Sequence, residues 1–340
     1  MTRPPLVSAI VPVFNRESMV AGAIRSLLAQ TLDNIEVVVV DDGSSDASVA
    51  VVESIYDRRI RLVRHPQNRG IPSARNSGLE AARGKYVAWL DSDDTARPER
   101  LEVQVRFLDA NPGIAMIGAC AAIHDGIRTR IRLPCFSSES IAPTLLFRSA
   151  FQQSAIMGRA EILKAHPYRL DFSVAEDLDQ FIRLSREHRL ANLPQILVDR
   201  QVHAGQIVKL RFEELRQCKA KLFRAGLARL GIEVDDADLE RHITLGRLKR
   251  SAPSREMIEW MEAWLVRLVA ANRRSKIYDE GGTAFALSRL WLLACRAARR
   301  GDDPGFAARR LMLSPMSRGW LNRDGRHWLM QASAVDRKNR

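Results

Sequence analysis

Cysteine is scarce and scattered in this chain. Cys120, Cys135, Cys218 and Cys295 form no CxxC pair and have no neighbouring histidine at metal-ligand spacing. That argues against a structural zinc site and for reduced thiols in a cytoplasmic protein. Long apolar runs are also missing. Ile35 to Val40, interrupted by Glu36, is among the longest and falls far short of a membrane span. Met1-Thr2-Arg3-Pro4-Pro5 leads straight into a strand-like segment, without the apolar stretch and small-residue cleavage site of a secretory signal. No GxGxxG follows the first strand-like segment, which argues against a dinucleotide-binding fold. There is no internal repeat and no low-complexity tract.

What is present is ordinary in bulk and uneven in charge. With 340 residues, 46% hydrophobic and 27% charged, the chain has room for one large domain plus an appendage, or for two domains. The net charge is +13. Residues 1–204 hold 25 Lys and Arg against 24 Asp and Glu, whereas residues 205–340 hold 28 against 16. The excess therefore sits in the C-terminal part. A basic appendage suits an anionic partner such as membrane lipid, acidic glycan or nucleic acid; the alternative is an arginine-rich solvated helical face. No zinc-finger, RNP-like or helix-turn-helix signature supports nucleic acid, so none is expected.

Strand and helix signals alternate through the first half. Leu6 to Phe14, Ile35 to Val40, Arg61 to Arg64 and the run ending at Leu90 read as strands. Helices are expected over about 18–30, with Ser18 as cap, then 47–56, 73–82 and 98–109. Further strands are expected at 114–123, 127–133, 155–157 and 190–200, and helices from Ser137 and over 176–188. This pattern implies an α/β fold with a mostly parallel central sheet and helices on both faces. From about Gly205 strand signals stop. Amphipathic segments at 211–230, 236–250, 254–272, 284–300 and 320–335 predict an all-helical C-terminal region. Trp260, Trp264, Trp291, Trp320 and Trp328 lie there as expected packing residues. The expected division is a nucleotide-sugar-binding and catalytic domain over 1–205 and a basic helical region over 206–340.

The stretch with the clearest chemistry is Lys85-Tyr86-Val87-Ala88-Trp89-Leu90-Asp91-Ser92-Asp93-Asp94, an apolar run ending in three carboxylates. Ligands collect at the carboxyl ends of strands in open α/β sheets. Like charges crowd there at a cost unless a cation lies between them, and oxygen-rich sites suit Mg2+ or Mn2+ shared with phosphates. Asp91-Ser92-Asp93 is thus a candidate metal and diphosphate site; the alternative is a solvated acidic turn. Asp41-Asp42-Gly43-Ser44 ends a neighbouring strand, where carboxylates can accept from a base or ribose.

These blocks resemble family 2 glycosyltransferases, which have the GT-A fold. The resemblance is carried by Ser8-Ala9-Ile10-Val11-Pro12-Val13-Phe14-Asn15, Ser26-Leu27-Leu28-Ala29-Gln30-Thr31, Val39-Val40-Asp41-Asp42-Gly43-Ser44, Gly70-Ile71-Pro72-Ser73-Ala74-Arg75-Asn76-Ser77-Gly78 and the DxD segment Asp91-Ser92-Asp93, in the family's order. It covers roughly residues 6–205. It implies that Pro12 and Asn15 lie beside the nucleotide, that Asp42 binds a uracil-type base with Asp41 supporting the loop, and that Arg75 approaches the nucleotide. It further implies that Asp91 contacts ribose or sugar, that Asp93 ligates the metal, and that His203 is a third ligand. Glu176-Asp177 resembles the acceptor-side acidic pair, with Asp177 as general base; Asp179 is a fallback on another side of the helix. The implied reaction is inverting transfer of a single sugar from a nucleoside-diphosphate sugar, UDP-linked, to a glycan or lipid-linked acceptor in bacterial surface polysaccharide synthesis.

Departures from the family sharpen this. There is no QxxRW-type block after the acidic pair and no membrane span, which argues against a processive synthase. The implied location is cytoplasmic, with peripheral contact at the inner membrane face through 206–340; oligomeric state stays open. Two other readings compete. A nucleotidyltransferase would need a glycine- and Arg/Lys-rich phosphate loop after the first strand, and Phe14-Asn15-Arg16-Glu17 is not one. A non-catalytic nucleotide-sugar- or glycan-binding protein would not need Asp91, Asp93 and Asp177 intact.

Overall fold

The structure is a computed structural model that describes residues 4–134, 137–203, 211–246, 253–300, 303–321, 324–326 and 330–331. Cys135, the boundary expected at 205, and most of the helix expected over 320–335 lie outside these residues. The chain divides into two compact units, one from residues 1–134 and 151–212, the other from 135–150 and 213–340.

The first unit is built on one sheet. Its strands are β1 (Val7–Val13), β2 (Ile35–Asp41), β3 (Ile60–Arg64), β4 (Tyr86–Trp89), β5 (Asp94–Ala96), β6 (Ile114–His124), β7 (Thr129–Arg132), β8 (Met157–Arg159) and β9 (Arg189–Gln201). The order is β3-β2-β1-β4-β8-β6-β9-β5, with β7 paired to β6. β1 runs parallel to β2 and β4, β2 to β3, and β6 to β9; β8, β5 and β7 pair antiparallel. The α/β sheet expected from the sequence is present, with its parallel part in β3-β2-β1-β4 and β6-β9 and antiparallel pairs elsewhere, so that it is mixed.

β2 is buried along its whole length, as a strand covered on both faces must be. Its one interior acid, Glu36, accepts from Ser8 Oγ at 2.6 Å, the Arg83 backbone N–H at 2.8 Å and Arg61 at 3.0 Å. Burial pushes its carboxyl up, but these bonds hold it below its ordinary value. Pro12 sits inside β1, a central strand. Ile10 O accepts from Leu90 N on the β4 side. Two residues on, the proline nitrogen faces that same side, where the β4 pairing has already stopped at Trp89. The missing donor therefore breaks no ladder bond.

Helices α1 (Val20–Leu28), α2 (Ser48–Glu53), α3 (Ile71–Ala81), α4 (Arg100–Ala110), α6 (Ala160–Ala165) and α7 (Glu176–Glu187) belong to this unit. Three details correct the sequence reading. Ser18 does not cap α1; the cap is Met19, without a side-chain bond. Residues 153–155 form a 3-10 turn, and the strand expected there begins at Met157. β5 was not expected, because three residues are too few to show a period.

The second unit holds α5 (Ser138–Leu145), α8 (Phe212–Arg229), α9 (Asp236–Leu245), α10 (Arg255–Ser275), α11 (Glu280–Ala298) and α12 (Pro304–Leu313), with no strand among its described residues. A single cut at 205 would leave α5 in the first unit; in the structure it packs on α11. A Cβ on Gly282 would overlap the Glu139 backbone, so the two helices meet there at a distance only glycine allows. Trp264 and Trp291 are buried, as packing residues should be. Many of the arginines are paired: Arg216 with Glu213 and Glu240, Arg224 with Asp236, Arg255 with Glu259, Arg310 with Glu262.

The polar centre of this unit is His242, fully buried against Phe147, Phe223 and Trp264. Its Nε2 donates to Leu146 O at 2.7 Å, and its Nδ1 accepts from Trp264 Nε1 at 3.0 Å. The bond accepted at Nδ1 requires the neutral ring. Burial accordingly pushes its pKa down to about 4, from 6.5. As pH falls below 6.5 the unfolded chain takes up a proton that the folded chain refuses until about 4. Stability present above pH 6.5 is lost across that window, by about 3 kcal/mol in all. In urea unfolding, the stability advantage of wild type over His242→Gln should shrink by that amount between pH 7 and pH 4. A constant difference would show that His242 is not the titrating group.

Candidate active site

β1, β2, β3 and β4 are parallel, so their carboxyl ends lie along one edge of the sheet. Asn15, Asp41-Asp42, His65 and Asp91 all follow there. Asn15 takes a left-handed backbone, φ 52°, which asparagine tolerates better than most residues. Its Oδ1 accepts from Ser45 N at 2.9 Å, tying the end of β1 to the loop after β2. Ser44 N lies 3.3 Å from both carboxylate oxygens of Asp41, within the same loop. Gly43 has φ 72°, and a Cβ there would overlap the backbone of Gln67 and Asn68.

Asp42 is buried and fully engaged. It accepts from Arg69 N at 3.0 Å and Gly70 N at 2.8 Å, and faces His65 Nδ1 at 2.6 Å. His65 Nε2 in turn meets Ser77 Oγ at 2.8 Å. The Asp42 carboxylate therefore shapes the turn into α3. His65, unremarkable in the sequence, is what orients it; its only signal was its place just after β3.

That turn delivers Arg75, and Arg75 joins the two acidic motifs. It is buried, with its guanidinium 5.4 Å from the Tyr168 ring centroid and 6.0 Å from that of Trp89. One terminal nitrogen donates to Glu176 at 2.5 Å, and the other to Asp91 at 3.3 Å. Burial alone would lower the arginine pKa; Glu176 above all, then Tyr168 and Asp91, hold it above its ordinary value and the side chain stays charged. Burial likewise pushes the Glu176 carboxyl up, against the pull of Arg75 and with the help of Asp177.

Glu176 and Asp177 open α7, where acids are favoured by the helix dipole. The residue before them, Ala175, is left-handed at φ 61°. A non-glycine residue there costs on the order of 1 kcal/mol or more and marks a position over-determined by its surroundings. Glu176 is turned inward; Asp177 is only partly buried and accepts from Leu178 N at 2.7 Å. Asp179, the fallback, is buried between Arg169 and Arg183, and both guanidinium groups occupy its oxygens.

Asp91, Asp93 and Asp94 offer carboxylate oxygens all within 4.8 Å of one another. Ser92 is buried between them. His203 Nε2 lies 2.8 Å from Asp93. Ser154, absent from the sequence reading, places its Oγ 2.9 Å from an Asp91 oxygen and 2.5 Å from an Asp94 oxygen, so one hydroxyl links the two carboxyl groups. Asp94 is buried; burial first, then Asp91 and Asp93, push its pKa up to about 8. Its Oδ1 is buried without a hydrogen-bond partner. Three converging carboxylates, one carrying an orphaned oxygen, fit a hard divalent cation with oxygen ligands. Pro12, partly buried, lies beside Val40 on the same edge.

The model of "Glycosyl transferase family 2" matches residues 8–164. The putative glycosyltransferase EpsH of Bacillus subtilis is 31% identical over 241 residues, 66% of this chain and 67% of that protein. The succinoglycan biosynthesis protein ExoO of Rhizobium meliloti is 41% identical over 160 residues, 46% of this chain and 44% of its own length. Among solved structures, S. aureus TarS 1-349 in complex with UDP-GlcNAc superposes with a TM-score of 0.56 at 20% identity, covering 86% of this chain and 89% of that one. At that identity the likeness is one of fold, and the fold is GT-A-like. The motifs, their order along the sheet edge and these matches together place the chain in glycosyltransferase family 2.

Proposed function

We propose that this glycosyltransferase moves one sugar at a time, with inversion, from a UDP-linked donor to a hydroxyl of a glycan or lipid-linked acceptor. The observation that carries the reading is the bridge made by Arg75. It puts the DxD segment and the Glu176-Asp177 pair on opposite ends of one buried guanidinium, so donor-side and acceptor-side acids share a site. Asp91, Asp93 and His203 are the residues that would hold Mn2+ or Mg2+, with Asp94 behind them. A divalent ion bound there would supply positive charge for the diphosphate.

The chain's own residues do the rest. Asp177, the more exposed acid, takes the proton from the acceptor hydroxyl as that oxygen forms its bond to the anomeric carbon. The bond from the anomeric carbon to the diphosphate breaks, and its electron pair leaves with the nucleoside diphosphate. Glu176, held inward by Arg75, fixes the first turn of α7 and hence the direction of Asp177. Asp41 and Asp42 set the two loops against which the nucleotide would lie, together with Pro12 and Asn15. ExoO, named for succinoglycan biosynthesis, supports a polysaccharide as the product class.

A panel of nucleotide sugars tests this with Mn2+ present, scored by nucleoside diphosphate released. Release is expected from a UDP-sugar and should depend on the divalent ion. Failure of every nucleotide sugar in the panel to yield nucleoside diphosphate would sink the reading.

A further inference from the structure

A second cluster of metal-ligand type lies away from the sheet edge. His166 follows α6, and Glu187 and His188 end α7. Each offers one ligand atom, and the three atoms all lie within 4.8 Å of one another. The acidic pair is at the other end of the same 12-residue helix, about 16 Å away along its axis.

The hydrogen bonding of His166 carries the argument. Its Nδ1 lies 2.9 Å from the carbonyl oxygen of Ile162, which can only accept, so Nδ1 bears the proton. With Nδ1 engaged by that carbonyl, Nε2 is the ring nitrogen turned towards Glu187 Oε2, 3.1 Å away. The His188 ring stands edge-on to His166 at 82° with centroids 5.3 Å apart and brings a third ligand atom to the same spot. One metal ion would take all three. A ring nitrogen facing the metal while the other donates to a backbone carbonyl is the usual support of a histidine ligand. Ligands about 2 Å from a tetrahedral zinc stand about 3.3 Å apart, close to the separation seen between His166 and Glu187.

We propose that His166, Glu187 and His188 form a zinc site of the two-histidine, one-carboxylate kind. Its nitrogen-rich donor set suits Zn2+ or Co2+, whereas the sheet-edge carboxylates suit Mn2+ or Mg2+. Glu187 is largely exposed, which leaves a fourth position open to solvent. The metal joins the end of α6 to the end of α7 and so anchors the helix that carries Asp177.

The full chain, stripped with chelator and titrated with Zn2+ and with Co2+, tests this. One equivalent of Co2+ should give visible d–d absorption of a low-coordinate nitrogen site. Zn2+ should raise the melting temperature. His166→Asn and His188→Asn should each weaken zinc at least about tenfold, and so should Glu187→Gln, whose exposed side chain puts folding at no risk. Asp93→Ala should keep the zinc affinity of wild type. No zinc equivalent in the wild-type chain overturns the proposal, as does wild-type affinity in Glu187→Gln and both histidine variants. Loss of zinc in Asp93→Ala with retention in the histidine variants would place the ion at the sheet edge instead.

Discussion

Asp177→Asn should bind donor as wild type does and lose transfer by about 10²- to 10⁴-fold, the range a positioned general base contributes. That corresponds to about 3–5 kcal/mol of barrier. Asparagine has nearly the same shape, and its Oδ1 can still accept from Leu178 N, as Asp177 does at 2.7 Å. Folding and the start of α7 are therefore preserved, and only the ability to take a proton is removed. Donor KM should change little while kcat falls. Transfer at the wild-type rate in this variant would remove Asp177 from the base role. It would not pass to Asp179, whose oxygens are held by Arg169 and Arg183.

Asp93→Ala should abolish the part of donor affinity that depends on Mn2+, a loss on the order of 100-fold or more for a charged ligand to the ion. Calorimetric titration of UDP-sugar with and without Mn2+ measures it. In wild type the two affinities should differ widely, and in the variant they should coincide. The physical basis is the gathering of Asp91, Asp93 and Asp94: burial first, then the two neighbouring acids, push Asp94 up to about 8, and its Oδ1 is unpartnered. Such a cluster is relieved by a cation, and Asp93 is the member linked to His203. An unchanged Mn2+ dependence would mean that the ion is held elsewhere.

Much of the frame is legible in the sequence. The four-valine run of β2, the alternation of strands and helices, and the acids placed just after β2 and β4 follow from local rules, since burial on both faces forces continuous apolar character and parallel strands put their carboxyl ends together. The loss of strand signals after residue 205 likewise announced the helices.

Long-range partners carry no such mark. Nothing near Arg75 in the chain says that it will reach Glu176, 101 residues on, at 2.5 Å. Ser154, Tyr168 and His65 enter the site only because the sheet order brings β8, the 3-10 turn and β3 to the edge where β4 ends. The cluster of His166, Glu187 and His188 was invisible for the same reason: its members are spread over 23 positions and meet only when α6 and α7 pack. The sequence by itself determined the fold class, the family and the acids; the tertiary structure decided which of those acids are buried, which are paired, and which are left to react. Period and composition are properties of neighbours along the chain, whereas charge pairing and burial depend on distances that only the folded sheet sets.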